Sequence, residues 1–450
     1  MTVEARTCAF ITLGCKVNQY DTEAIREQVL RLGCREVPAG ERADVYVINT
    51  CTVTSISDSK GRKLIRRVHR QNPAALIVVT GCTVDSDPNL AEKISKDWAD
   101  TGVCPCIIVP NHAKPSIASK IGDRHLLLDH ETGEPNASTG SKNGACPQLW
   151  EEGISRFEGH TRAFIKIEDG CANFCAYCIV PYVRGPVRSR PLDSIVNEAR
   201  RLADAGFREI VLTGIHVGAY GRDGAGHDLA DVVLAVNAIG GIHQLRLSSI
   251  ETLEVTDRLI DLAAEGKLCP HFHLPLQSGS DRVLSAMNRR YTASQFLAVV
   301  ERIAKRIARA SFTTDVLVGF PGESDDDLDA TERVCRQVGF SRTHVFPYSE
   351  RPGTAAVLMP GKCLHEAIAE RKRRMLAVGR ETALAYKQQF IGCEVEVLVE
   401  SERDPSGTLC GYTDRYIRVV FDGPDSLKGT LVRVVLERAT PEKMRGRMMR

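Results

Sequence analysis

Three times within the first hundred residues, a short apolar run ends and a cysteine follows at once. CAFITL (8–13) leads into Gly14-Cys15, VYVIN (45–49) into Thr50-Cys51, and LIVVT (76–80) into Gly81-Cys82. Helical patterns over 21–33 and 58–73 separate the runs. Strands that are apolar on both faces and alternate with helices belong to a parallel sheet covered on both sides. Such a sheet points all its strand ends the same way, and ligands bind at that edge. Cysteines 36 and 31 residues apart along the chain are therefore expected to converge in space. Three unrelated core cysteines are the ordinary alternative, since free cysteine is often buried.

A second series of strand patterns begins near residue 163: 163–167, 209–213, 244–248, 271–276, 314–319 and 343–347. Helical patterns fall between them. Six βα units predict an open or partial barrel with chemistry at the C-terminal ends of its strands. The stretch GCANFCAYC, with Cys171, Cys175 and Cys178, directly follows the first of these strands. A long helix is expected over 364–390. Three alternating segments after it predict a small β-barrel. Residues 110–160 read as a linker region, since 130–148 is rich in Gly, Ser, Asn and Pro.

At 450 residues the chain is too long for one core. Its net charge of +2 excludes a globally basic nucleic-acid binder and leaves only local patches. The N-terminus lacks the apolar stretch of a signal peptide and no apolar run is long enough to span a membrane, so a cytoplasmic location without membrane contact is expected. Sixteen cysteines in such a chain point to metal or redox chemistry rather than disulfides. A closed zinc site needs four ligands. Each triplet offers three, with His216, His271 or His273 as possible fourth ligands beside the second. A cubic iron–sulfur cluster held by three thiolates keeps one iron open for a substrate or cofactor.

CxxxCxxC after the first strand of a partial barrel resembles the signature of the radical S-adenosylmethionine superfamily. The likeness extends along the chain. TLGCKVNQYDTEA (12–24), VINTCTVT (47–54), LTGIHVGAYG (212–221), RLSSIE (246–251), HLPLQSGSDRVLSAMNRRYT (273–292), DVLVGFPGE (315–323) and HVFPYSERPGT (344–354) are similar to methylthiotransferase motifs. The C-terminal segment resembles a TRAM domain, an RNA-binding β-barrel.

The resemblance implies a parallel α/β domain over 1–125, a linker over 126–156, a partial (βα)6 radical core over 157–387 and a TRAM-like barrel over 388–450. It implies two [4Fe–4S] clusters. Cys171, Cys175 and Cys178 would hold the catalytic one, whose open iron takes the amino and carboxylate groups of S-adenosylmethionine before that molecule is cleaved to a 5′-deoxyadenosyl radical. Cys15, Cys51 and Cys82 would hold the other, which delivers sulfur. Thr213 and Gly214, Glu251, and the turn Gly319, Pro321, Gly322 would contact S-adenosylmethionine, or serve ordinary loop geometry. The motifs are most similar to the branch that acts on threonylcarbamoyladenosine beside the tRNA anticodon, with an electron donor and a sulfur source as further partners. Isopentenyladenosine in tRNA and an aspartate of a ribosomal protein are the alternative targets. A zinc-bearing RNA-binding protein without catalysis is the alternative of another class.

Other features carry less. Gln277 and Ser278 could touch cofactor or substrate, and His271 and His273 read as satisfied core histidines. Cys104 and Cys106 look incidental. Basic runs at 62–70, 184–190 and 289–290 could meet phosphates or form solvated surface. Residues 391–450 hold ten basic and ten acidic side chains, so RNA contact there would lean on stacking, with Tyr412, Tyr416 and Phe421 as candidates.

Overall fold

The computed structural model describes residues 6–52, 54–97, 106–128, 150 and 153–449. The chain divides into two compact units. One is Met1–Ile154 with Tyr182–Arg184; the other is Ser155–Pro181 with Gly185–Arg450.

The first unit is built on a five-stranded parallel sheet in the order Arg35–Glu36, Thr7–Thr12, Val45–Thr50, Leu76–Gly81, Cys106–Val109. Alternate residues serve opposite faces. Tyr46, Ile48, Ile77 and Val79 pack with Ile65 and Val68 of the helix Ser55–Gln71. Val45, Val47, Leu76 and Val78 pack with Ile25 and Val29 of Lys16–Arg31 and with Ile117 and Ile121 of Ile117–Leu128. Both faces are covered, which is why these strands are apolar throughout. The part of the expected linker 110–160 that falls on 111–128 is therefore not linker. Residues 111–128 form a 3-10 turn and a helix of this unit, and Lys114 of that turn reaches the Asp21 carboxylate, both fully buried. The Gly- and Ser-rich stretch 130–148, Cys104 and Cys146 lie outside the described residues.

In the second unit the six expected strands are present as two parallel three-stranded sheets. Ala163–Lys166, Glu209–Thr213 and Gln244–Leu247 form one. His271–His273, Ser311–Val318 and Arg342–Pro347 form the other. A bridge between Ser249 and His273 joins them into one open barrel wall. The helices start where capping predicts. Asp228, Thr292 and Ser324 each complete a capping box with the residue three positions on, satisfying backbone donors that the first turn leaves open.

The helix His365–Gln388 then leads into a closed five-stranded barrel of Glu394–Val399, Leu409–Tyr412, Arg418–Phe421, Leu431–Ala439 and Met444–Met448. Tyr386 and Phe390, at and just past the helix end, belong to this barrel's apolar core with Val397, Leu409, Phe421 and Leu436. The barrel is seated beneath the strand starts by two buried arginines. Arg246 gives hydrogen bonds to Glu209 and to the carbonyls of Thr413 and Asp414, at 2.7, 3.2 and 2.7 Å. Arg162 pairs with Glu400 and lies over the rings of Tyr412 and Tyr416, 4.5 and 5.3 Å from their centroids. Those two tyrosines are thus partly engaged inside the fold, and Phe421 is wholly buried.

Glycines show where the helix is held. Gly319 has φ +77°, and an added Cβ would stand 2.5 Å from Cγ1 of Ile368. Gly339 caps the helix Asp325–Val338 at φ +70° with nothing within 4 Å of that position. Gly339→Ala is expected to cost about 1 kcal/mol, the left-handed strain alone. Gly319→Ala should cost about 2–4 kcal/mol because overpacking is added. Chemical denaturation checks the order, and Ile368→Ala in the Gly319→Ala background should restore part of the difference.

Candidate functional site

The second unit carries its cysteines where the first barrel strand ends. After Ala163–Lys166 the chain forms a short pair, Glu168–Asp169 with Arg188–Ser189, then the loop with Cys171, Cys175 and Cys178. Gly170 permits the entry: φ is +97°, and a Cβ there would lie 1.9 Å from the Pro186 carbonyl oxygen. Phe174 holds a left-handed φ of +46°, an uncommon state for a large side chain. The loop is pinned by the Ala176 amide on the Met287 carbonyl at 2.9 Å and by Asn288 Nδ2 on the Phe174 carbonyl at 3.0 Å.

Hydrogen-bond donors converge on the sulfurs. The Asn173 amide is 3.5 Å from Cys171 Sγ, Arg289 Nη1 is 3.4 Å from Cys175 Sγ, and His216 Nδ1 is 3.8 Å from Cys171 Sγ. Burial pushes the Cys178 thiol up to about 12 and raises Cys175, against the pull of Arg289. Such thiols ionise when a cation binds them. Arg289 was expected among possible phosphate contacts. It is buried instead, paired with Glu251 and lying over the Tyr291 ring. Its partner Cys175 is 114 residues away in sequence, so no local pattern reveals the contact. Likewise Arg190 of the run 184–190 is buried against Glu198, whereas the arginines of 62–70 form an exposed helix face.

The other named residues fall around this edge. Thr213 is buried at its strand end and its carbonyl accepts the Ile167 amide. Gly214 presses on Glu168, where an added Cβ would meet Oε2 at 2.7 Å. Glu251 faces Arg289. Gly319 donates its amide to Glu323 at 2.6 Å, Pro321 is buried, and the Gly322 amide bonds the Gly361 carbonyl at 2.8 Å. Gln277 has φ +62° and bridges to Val316. Ser278 is buried on Thr331. His271 and His273 both bond the Thr313 hydroxyl, at 3.0 and 2.9 Å, as core histidines do. Glu168 escaped the sequence reading. It is buried, accepts the His216 amide at 2.7 Å through Oε2, and leaves Oε1 without a partner.

The first unit brings its three cysteines to one sheet edge. Cys15 precedes the helix Lys16–Arg31 and is exposed. Cys51 follows Val45–Thr50, and Cys82 opens the helix Cys82–Ser86 after Leu76–Gly81. A Cβ on Gly14 would lie 2.6 Å from Cys51 Sγ, so the loop bearing Cys15 lies against Cys51. The Thr83 hydroxyl meets the Cys51 carbonyl at 3.3 Å, and Asn111 Nδ2 is 3.8 Å from Cys82 Sγ. Asn18 ties the first two strand ends by bonding the carbonyls of Leu13 and Thr50, both at 2.9 Å. All six thiols are free. Among the described residues no three His, Cys, Asp or Glu side chains gather as ligands of a single ion.

Residues 165–335 match the Radical SAM superfamily, 7–101 the Uncharacterized protein family UPF0004, and 388–449 the TRAM domain. The chain is 37% identical to a threonylcarbamoyladenosine tRNA methylthiotransferase of Bacillus subtilis, covering 96% of this chain and 94% of that one. A protein of the same name from Chlamydia pneumoniae is 38% identical over 98% of each. The chain belongs to the radical SAM methylthiotransferases. This family uses S-adenosylmethionine and a [4Fe–4S] cluster. A tRNA-2-methylthio-N(6)-dimethylallyladenosine synthase of Moorella thermoacetica is also similar, 35% identical over 99% of both chains. The fold is shared with a radical S-adenosylmethionine methyltransferase of Kitasatospora setae, with TM-score 0.55, 15% identity, and coverage of 78% and 77%. Among the described residues no helix is long and apolar enough to cross a membrane.

Burial raises Glu168 to about 8, so the folded protein keeps a proton that the unfolded chain releases near pH 4.5. Stability must then fall as pH rises from about 4.5 to 8. Glu168→Gln should flatten that fall, leaving the variant more stable than the parent above pH 8 by up to a few kcal/mol. Melting temperatures between pH 5 and 8.5 check this.

Proposed function

We propose that this protein transfers a methylthio group to C-2 of the adenine of threonylcarbamoyladenosine, next to the anticodon of tRNA. The observation that carries the reading is the pair of three-cysteine sites, each at the C-terminal edge of a parallel sheet, in a chain similar over nearly its whole length to relatives named for this reaction. Cys171, Cys175 and Cys178 would hold one [4Fe–4S] cluster and Cys15, Cys51 and Cys82 a second, each triplet offering three thiolates to four irons. When bound, the first cluster with S-adenosylmethionine would supply the radical that takes the C-2 hydrogen, a further S-adenosylmethionine would supply the methyl group, and the second cluster would supply the sulfur.

The chain's own residues prepare these positions. Arg289 sets a fixed positive charge beside Cys175, where it offsets the negative charge of bound thiolates, and holds the Glu251 carboxylate in place. His216 stands between Cys171 and Glu254, 3.8 Å from the sulfur and 2.9 Å from the carboxylate. Gly214 keeps the end of the second strand close to Glu168. Thr213, Gly214, Glu251, Gly319, Pro321 and Gly322, at the strand ends, are the residues that would contact S-adenosylmethionine. The modules follow as 1–125, 157–387 and 388–450, with Tyr386 shared between the last two. A cytoplasmic location accords with a tRNA substrate.

Mass spectrometry of nucleosides from total tRNA, with and without the gene, tests the reading. Loss of 2-methylthio-threonylcarbamoyladenosine is expected. Loss of the 2-methylthio form of dimethylallyladenosine instead would assign the chain to the other tRNA branch, whose named members are 33–35% identical. No change in either nucleoside contradicts a tRNA substrate. In vitro, Cys51→Ala is expected to keep reductive cleavage of S-adenosylmethionine within about threefold while methylthiolated product disappears. Cys175→Ala should lose both.

A further inference from the structure

A cavity of about 390 Å³ lies at the strand starts of the second unit, the end opposite the cysteine loop. Arg342 and Thr343 begin the last barrel strand there, and Arg380 and Lys387 approach from the helix His365–Gln388. Tyr412 and Arg418 come from the C-terminal barrel. Arg342 and Pro347 bound a six-residue strand, so at roughly 3.3 Å per residue about 16 Å of strand separates this cavity from the catalytic edge. Whatever binds here is not the base being modified.

The lining has a surplus of positive charge. Arg342 is exposed and has no ion-pair partner among the described residues. Lys387 is buried and gives its protons to the carbonyls of Ser341, Ala383 and Pro441 at 3.2, 3.4 and 2.8 Å, so no carboxylate pairs with it. Burial, with Arg342 nearby, pushes Lys387 down to about 8, and the charge of Glu442 offsets this only in part. Arg418 has Asp404 at 2.9 Å, but Asp404 also serves Lys443 at 3.1 Å. Glu442 is the one acid on the lining, 3.4 Å from Arg380 with both side chains well exposed, where screening makes it weak.

Two further features describe the missing partner. The Thr343 hydroxyl is buried without a hydrogen-bond partner, a state that is costly unless a ligand or water meets it. Tyr412 and Tyr416 stack at 4.8 Å and 24° and form one wall. A compact oxyanion with several acceptors matches the charge and the hydroxyl together, with the tyrosine pair, its faces taken by Arg162 and Arg246, as a fixed wall. We propose that this cavity binds a phosphate group, carried either by the tRNA backbone or by a free nucleotide. The tRNA source rests on the function proposed above; the site itself does not.

The test uses the full chain with its clusters loaded. AMP and pyrophosphate are titrated calorimetrically, and tRNA binding is followed by anisotropy at several salt concentrations. The variants are Arg342→Ala, Thr343→Val and Glu442→Gln, and unchanged iron content shows that the cysteine sites are intact. Arg342→Ala is expected to weaken binding of a phosphate ligand at least about fivefold, and Glu442→Gln to tighten it about twofold. If tRNA affinity falls and its salt slope drops by about one, the phosphate belongs to the RNA. If only AMP or pyrophosphate binding falls, it belongs to a free nucleotide. If none of the three variants moves any of the three probes beyond twofold, the proposal is overturned. A parent enzyme that fails to modify tRNA yet loses AMP binding on Arg342→Ala would reject the tRNA reading and keep the site.

Discussion

Parallel strands must all end at the same edge of their sheet. That constraint is met in both units, and every candidate site residue depends on it. In the first unit it carries Cys15, Cys51 and Cys82 to one edge although they are far apart in sequence. In the second it sets the cysteine loop, Thr213 and Glu251 around one barrel mouth. Close approach at these edges requires glycine. Gly14 lies against Cys51, and Gly81, at φ +97°, would set a Cβ 2.2 Å from the Thr50 carbonyl oxygen. The glycines before Cys15 and Cys82 are therefore part of how those thiols are delivered.

Charge completes what topology begins. Burial raises the Cys175 and Cys178 thiols, and the structure sets donors beside Cys171 and Cys175: a backbone amide, the Arg289 guanidinium and the His216 ring. The same logic appears at the other end of the barrel. Arg246 and Arg162 satisfy buried acids and carbonyls and so join the C-terminal barrel to the strand starts. Among the described residues Arg342 and Lys387, a short way off, have no carboxylate within ion-pair distance; Lys387 bonds three carbonyls, with Glu442 acting from farther away. Paired arginines there hold structure, while unpaired cations leave positive potential for a ligand.

Most of this framework could be read from periodicity. The three strands of the first unit, the six of the barrel and the helices between them emerge within a few residues of their observed bounds, because each is long or strongly patterned. What was missed is short or non-local. Arg35–Glu36 is an exposed two-residue edge strand with no apolar pattern. Cys106–Val109 has four residues, and the helix after it follows two prolines and a polar turn, so residues 110–128 resembled a linker. The i,i+4 pair Ile117 and Ile121 was the available signal. The cysteine ligands were legible because spacing is a local property. Arg289, Glu168 and the Lys114–Asp21 pair were not, because each acquires meaning from a residue far along the chain.

The central claim is that two independent three-cysteine sites each hold a four-iron cluster. Iron and sulfide analysis after anaerobic reconstitution tests it most directly, applied to the parent and to two triple variants. One replaces Cys15, Cys51 and Cys82 by alanine, the other Cys171, Cys175 and Cys178. The account predicts about eight irons in the parent and about four in each variant. A parent holding about four irons, with no loss on replacing Cys15, Cys51 and Cys82, would contradict it.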